Sequence, residues 1–149
     1  MNIEKVADNI YTFPIVLPNN PLKWLNCYVV ISDGRNLLID TGFNRPECRE
    51  ALLDVMHQLG LTPDNTDIFI THLHSDHTGN AAYLAGEGFS VLMGRTDHRV
   101  VTMPEKDKHK ETHARFLREG MPKEDLALWS AQTPQGWNAS IFSMIQTLS

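Results

Sequence analysis

Thr71-His72-Leu73-His74-Ser75-Asp76-His77-Thr78-Gly79-Asn80 is the stretch on which the reading of this chain turns. Three of the seven histidines and one carboxylate fall between His72 and His77. Composition alone would produce such a cluster in roughly one chain in a thousand of this make-up. The apolar run Asp67-Ile68-Phe69-Ile70-Thr71 that leads into it reads as a strand. In an extended segment leaving a strand, residues i and i+2 point to the same side, so His72 and His74 can reach one cation together. Asp76 and His77 lie just beyond, where the chain turns toward Gly79, within reach of a second cation beside the first. Imidazole and carboxylate suit zinc or iron, and a loop without thiolates is unlike a closed structural zinc site. A cation with open positions holds water, lowers its pKa toward neutrality and so supplies a hydroxide nucleophile.

Upstream of this loop the chain reads as β structure followed by a helix. Ile10-Tyr11-Thr12-Phe13 is a short strand that should end near Pro14, and Asn19-Asn20-Pro21 marks a turn. Cys27-Tyr28-Val29-Val30-Ile31 and Asn36-Leu37-Leu38-Ile39-Asp40 flank Asp33-Gly34, a hairpin signal. Both runs are almost continuously apolar, which predicts strands covered on both faces. Pro46 opens a helix where its missing N–H costs nothing. Cys48, Ala51, Leu52, Val55, Met56 and Leu59 then recur at helical spacing until Gly60 stops the helix.

Downstream, a helix is expected from Asn80 to about Gly86 and a strand over Phe89-Ser90-Val91-Leu92-Met93. Residues 95–132 read as helical, with a charged segment at 105–119 and a fresh start at Pro122; poor in core formers, they look like an insertion or lid. Residues 133–149 form an irregular tail. The element order β-β-α-β-loop-α-β is that of an α/β layered domain.

Composition narrows the function classes. A net charge of −5 and a pI near 5.7 argue against nucleic acid as a partner, because phosphate neutralisation needs a basic stripe. Lys106, Lys108, Lys110, Arg115 and Arg118 are interleaved with Glu105, Asp107, Glu111 and Glu119, the pattern of a solvated helix face. No apolar run approaches the roughly 18–20 residues of a membrane span. The start, Met1-Asn2-Ile3-Glu4-Lys5, lacks the basic and apolar regions of a signal peptide, so a cytoplasmic protein is expected. Cys27 and Cys48 form no C-x-x-C pair and read as reduced core thiols.

The pattern H-x-H-x-D-H after a strand resembles the hallmark of the metallo-β-lactamase superfamily. Leu37-Leu38-Ile39-Asp40-Thr41-Gly42 looks like that superfamily's first motif, and Asp40 and Asp76, thirty-six positions apart, enclose the helix and strand its topology requires. The resemblance covers about residues 3–94, and more loosely the helices to 132. It implies that His72 and His74 bind a first metal, and that Asp76 and His77 bind a second, with Asp76 also orienting the attacking water. It further implies that Asp40 braces the metal loop from behind by hydrogen bonding; the competing role for Asp40 is a cap on the helix near Pro46, for which Asn44 is better placed. The implied cofactor is zinc, up to two ions, with iron or manganese as alternatives. The implied activity is hydrolysis of a small-molecule ester, thioester, lactone or amide. The flavodiiron branch carries glutamate where this chain has His74, which favours a hydrolase, and the helices at 95–132 are similar in kind to those of lactonase-like and glyoxalase II-like branches.

The family's fold is an αββα sandwich of two similar halves, and this chain resembles the N-terminal one. The second half normally supplies a third histidine, in a Gly-His-Thr-Pro-Gly-His-like segment, a bridging aspartate and a final histidine; no such segment follows here. The expectation is therefore a chain truncated before those ligands, whose open sheet pairs either as a homodimer or with a missing C-terminal half. His57, His98, His109 and His113 are the histidines left to complete the site. Two rival readings accompany the hydrolase: a metal-binding interaction half-domain without turnover, and a nuclease of the same superfamily, disfavoured by the acidic pI.

Overall fold

The computed structural model describes residues 2–132 and 145–148. They build one seven-stranded sheet whose strands lie in sequence order. β1 (Glu4–Ala7), β2 (Ile10–Val16), β3 (Trp24–Val30) and β4 (Asn36–Ile39) form an antiparallel meander. β5 (Thr66–Ile70), β6 (Ser90–Gly94) and β7 (Gln146–Leu148) continue the sheet parallel to β4. Parallel neighbours need crossovers, and helices supply them. α1 (Pro46–Gln58) joins β4 to β5, α2 (Ser75–Thr78) and α3 (Ala81–Gly86) join β5 to β6, and α4 (Arg95–Thr102), α5 (Glu105–Arg118) and α6 (Lys123–Gln132) follow β6. The expected α/β architecture is the one observed.

One face of the sheet carries the core. Phe13, Ile15, Cys27, Val29, Leu38, Ile68, Ile70, Val91 and Met93 alternate inward along their strands and are buried against Cys48, Leu52, Val55 and Met56 of α1 and Ala81 and Leu84 of α3. Each large apolar side chain so buried stabilises by roughly 1.5–3 kcal/mol relative to exposure. The stripe read on α1 is the buried one. Its end is a Schellman turn: Leu61 N–H bonds Met56 O at 2.8 Å and Gly60 N–H bonds His57 O at 3.2 Å, with Gly60 at φ 66°.

Three expectations need correction. β2 does not end at Pro14 but runs to Val16. Its pairing with β1 stops at Thr12, so Pro14 stands where one side of the strand is an edge, a place a proline tolerates. Of the two strands read as covered on both faces, β3 is covered on one, with Cys27 and Val29 buried while Trp24 and Tyr28 are 53% and 38% exposed; in β4, Leu38 is buried and Leu37 and Ile39 are half-buried. The cross-strand row Tyr28, Ile39, Phe69, Leu92 lies on that second face, and its apolar character is what made the runs look doubly covered. Finally, the tail is not irregular throughout, since Gln146–Leu148 pairs with β6; residues 133–144 lie outside the described residues. Among the described residues no helix is long and apolar enough to cross a membrane.

Candidate metal centre

β4 and β5 pair in parallel, so their C-terminal ends sit side by side, the edge where open α/β sheets place their ligands. Asp40 leaves β4 there and Thr71 leaves β5. Asp40 N–H still bonds Phe69 O at 3.0 Å, after which its backbone turns into the left-handed region at φ 64°. Aspartate tolerates that conformation better than most residues. The turn sends a carboxylate that is buried (4% exposed) beneath the histidine loop.

Three donors meet it. Thr71 N–H reaches Asp40 Oδ1 at 2.9 Å, the Thr71 hydroxyl lies 3.0 Å and 2.9 Å from Oδ1 and Oδ2, and His77 Nδ1 is 2.8 Å from Oδ2. A carboxylate only accepts, so His77 Nδ1 carries the proton and its Nε2 keeps a lone pair. The competing role for Asp40 is absent. The N-cap of α1 is Arg45, with no side-chain cap, and the Asn44 carboxamide oxygen accepts a hydrogen bond from Arg49 instead.

The loop itself is clamped by neighbours that sequence reading passed over. Thr41 N–H and Oγ1 both bond His77 O, at 3.0 Å and 2.7 Å. Asn80, fully buried, donates from Nδ2 to Thr41 O at 2.8 Å and Phe43 O at 2.9 Å. Arg49 donates to Asn80 Oδ1 at 3.2 Å and lies over the Tyr83 ring at 4.3 Å. Thr41 and Asn80 belong to the two quoted motifs, so their positions were visible, but their hydrogen bonds cross between the motifs and only the fold shows them.

The four expected ligand residues come together as two pairs. His72 Nε2 faces His74 Nδ1 at 3.0 Å, and Asp76 Oδ2 faces His77 Nε2 at 3.7 Å. The His72 and His77 rings are 4.0 Å apart between centroids. Two tetrahedral ligands on one zinc stand about 3.3 Å apart, given bonds near 2.0–2.1 Å, so both pairs suit a shared cation. Among the described residues no group of three or more His, Cys, Asp or Glu is arranged to hold an ion. His57, on α1, is exposed, and it, His98, His109 and His113 do not join the pairs. Below the loop, burial first, then the Asp40 charge and Cys48, push the Cys27 thiol well above its ordinary value; burial likewise raises Cys48. Both cysteines are free and buried, as expected.

Known proteins resemble this chain in sequence and fold. A metallo-beta-lactamase family protein of Thermus thermophilus is 31% identical with a TM-score of 0.60, over 79% of this chain and 40% of that one. A lactamase-like protein of Pestalotiopsis microspora is 34% identical over 87 residues, 56% of this chain and 26% of that protein. The atrochrysone carboxyl ACP thioesterase of Aspergillus novofumigatus is 32% identical over 82 residues, 52% of this chain and 24% of the thioesterase. The match spans about a quarter of these two relatives. The profile of the metallo-beta-lactamase superfamily matches residues 25–135, most of the sheet and the whole histidine loop, and the chain belongs to that superfamily.

Proposed function

We propose that this chain is the metal-binding half of a hydrolase acting on an ester, thioester, lactone or amide. The observation that carries the reading is the pairing of donors at the end of β5, His72 with His74 and Asp76 with His77, over a buried carboxylate that holds one of them. The residues fit zinc first, with iron or manganese next, because imidazole and carboxylate are the donors present. A divalent cation there would supply Lewis acidity, polarising a carbonyl and acidifying water. His72 and His74 would hold one such ion, Asp76 and His77 the other. Asp76 would also accept a hydrogen bond from the attacking water and aim it. Asp40 keeps the His77 proton on Nδ1, so that Nε2 presents its lone pair outward. The Aspergillus relative is named a thioesterase, which supports trying thioesters first.

A second reading is favoured by the absence of a third donor at either pair among the described residues. On that reading the chain binds metal weakly and turns nothing over alone. Zinc retention after gentle purification, measured by elemental analysis, tests the feature both share. Up to two ions per chain are expected, held weakly because each pair offers two donors among the described residues. Unchanged zinc content in a His72→Ala/His74→Ala double variant would overturn the assignment.

A further inference from the structure

The Thr71 hydroxyl touches more partners than one proton can serve. It lies within 3.0 Å of both Asp40 oxygens, 3.0 Å from His72 Nδ1 and 3.3 Å from His77 Nδ1. A hydroxyl has one hydrogen to give and lone pairs to receive with. Asp40 can only accept, and a hydrogen bond to a charged acceptor is the stronger one, so the Thr71 proton goes to the carboxylate. Oγ1 then turns lone pairs toward His72, and contact at 3.0 Å is favourable only if Nδ1 of His72 bears the proton. That leaves the lone pair of His72 on Nε2, the atom facing His74.

We propose that Thr71 is a positioning residue, which passes the hold of the buried Asp40 carboxylate on to His72 and fixes that ring with its proton on Nδ1 and its metal-facing lone pair on Nε2. This rests on the reading of His72 as a cation ligand. One carboxylate would then set the tautomers of two rings: His77 directly and His72 through a hydroxyl. Among the described residues His74 has no such link to Asp40. With the His72 lone pair on Nε2, the 3.0 Å contact is favourable when Nδ1 of His74 donates, so His74 would take a cation on Nδ1 only after its proton moves to Nε2.

Two-bond nitrogen–proton correlation spectra of the nitrogen-15-labelled chain, stripped of metal with a chelator and held at pH 8, read each ring's tautomer directly. His72 and His77 should both appear in the Nδ1–H form, assigned by their loss in single His→Gln variants. In Thr71→Val, His72 should leave that form while His77 keeps it; Thr71→Ser, which restores the hydroxyl, should restore His72. Retained His77 signals show that the loop is still folded, and Thr71→Ala replaces Thr71→Val should they vanish. His72 found as Nε2–H in the unaltered chain, or unmoved by loss of the hydroxyl, overturns the relay. Zinc competition against a chelator separates the two levels of the argument. Thr71→Val should bind zinc roughly tenfold more weakly and Thr71→Ser about as well as the unaltered chain. A chain with His72 as Nδ1–H that binds no zinc at all would overturn the metal reading, leaving Thr71 a merely structural hydrogen-bond partner.

Discussion

Asp40 Oδ2 accepts a hydrogen bond from His77 Nδ1 at 2.8 Å across thirty-seven positions of sequence, tying the end of β4 to the far end of the histidine loop. Asp40→Ala removes the acceptor for the Thr71 amide, the Thr71 hydroxyl and His77 together. It also leaves a β-carbon at φ 64° without the side chain that made the conformation tolerable. The expected cost is about 2–4 kcal/mol of folding stability, read by urea denaturation followed by circular dichroism. Asp40→Asn, which keeps the size and the tolerance of that backbone, should cost less. A loss below about 0.5 kcal/mol in Asp40→Ala would mean the network contributes little to the fold.

Gly79 offers a test of packing free of any backbone conformation argument, since its φ of −56° is open to every residue. A β-carbon there would stand less than 3.0 Å from Asn44 N, Gly42 O and the Phe43 carbonyl carbon. All three are backbone atoms and cannot swing aside. Gly79→Ala should therefore force the Asn44 and His77 segments apart, at roughly 3 kcal/mol. In a chain of this size that lowers Tm by about 6–12 °C. Gly86→Ala, where nothing lies within 4 Å, is the matched control and should leave Tm level or slightly higher. Equal Tm values for the two variants would contradict the tight seat of the metal loop.

The buried Cys27 thiol predicts how stability changes at alkaline pH. Burial, then the Asp40 charge, raise its folded-state pKa well above the ordinary value of 9.0. The folded chain therefore keeps a proton that the unfolded chain releases. The contribution is whole below about pH 9 and is lost as pH rises toward the folded value. Urea midpoints should thus fall as pH is raised above 9.0, and Cys27→Val, similar in volume, should show a shallower fall. Parallel slopes for the two proteins would rule out Cys27 as a source.

Much of the centre was legible because its chemistry is local. His72, His74, Asp76 and His77 sit on one short loop, and a strand read at 67–71 already told which way the first two point. Asp40 was legible as a motif but not as a geometry, since its left-handed backbone and its three donors depend on β4 lying against β5. Thr71 was quoted and passed over, because a threonine next to a histidine carries no signal until the carboxylate beneath it is placed. The exposed face of β3 misled for a related reason. An apolar run shows which residues avoid water, and Tyr28 looks the same whether or not something covers it. β7 was hidden because a three-residue strand has too few positions to show a period.

That exposed face should govern association. On it lie the exposed Tyr28, Trp24 and Val16, the last two 53% and 62% exposed, beside the half-buried Ile39, Phe69 and Leu92, and apolar side chains gathered on one open face favour association. A two-fold dimer is the simplest cover. Sedimentation at micromolar concentration should show it, and Tyr28→Lys/Phe69→Lys should dissolve it. A monomer that binds no hydrophobic dye would disprove the expectation.

Hydrolysis is the property in which the two functional readings part. Each donor pair offers two of the ligands a cation needs, and among the described residues no third protein donor joins either pair. An ion held by two protein donors would be mobile and would leave the attacking water poorly aimed; misplacement by about 1 Å can cost about a hundredfold in rate. The isolated chain with added zinc should therefore hydrolyse generic esters, thioesters and lactones slowly or not at all. A fusion to the part of the Thermus thermophilus relative lying outside its match to this chain should raise turnover, thioesters first, and Asp76→Ala within the fusion should remove the gain. Vigorous zinc-dependent turnover by residues 1–149 alone, abolished by Asp76→Ala, would show that the centre is completed without a second half. The missing ligand would then come from a second copy of the chain, and His98, His109 and His113 would be the first residues to replace.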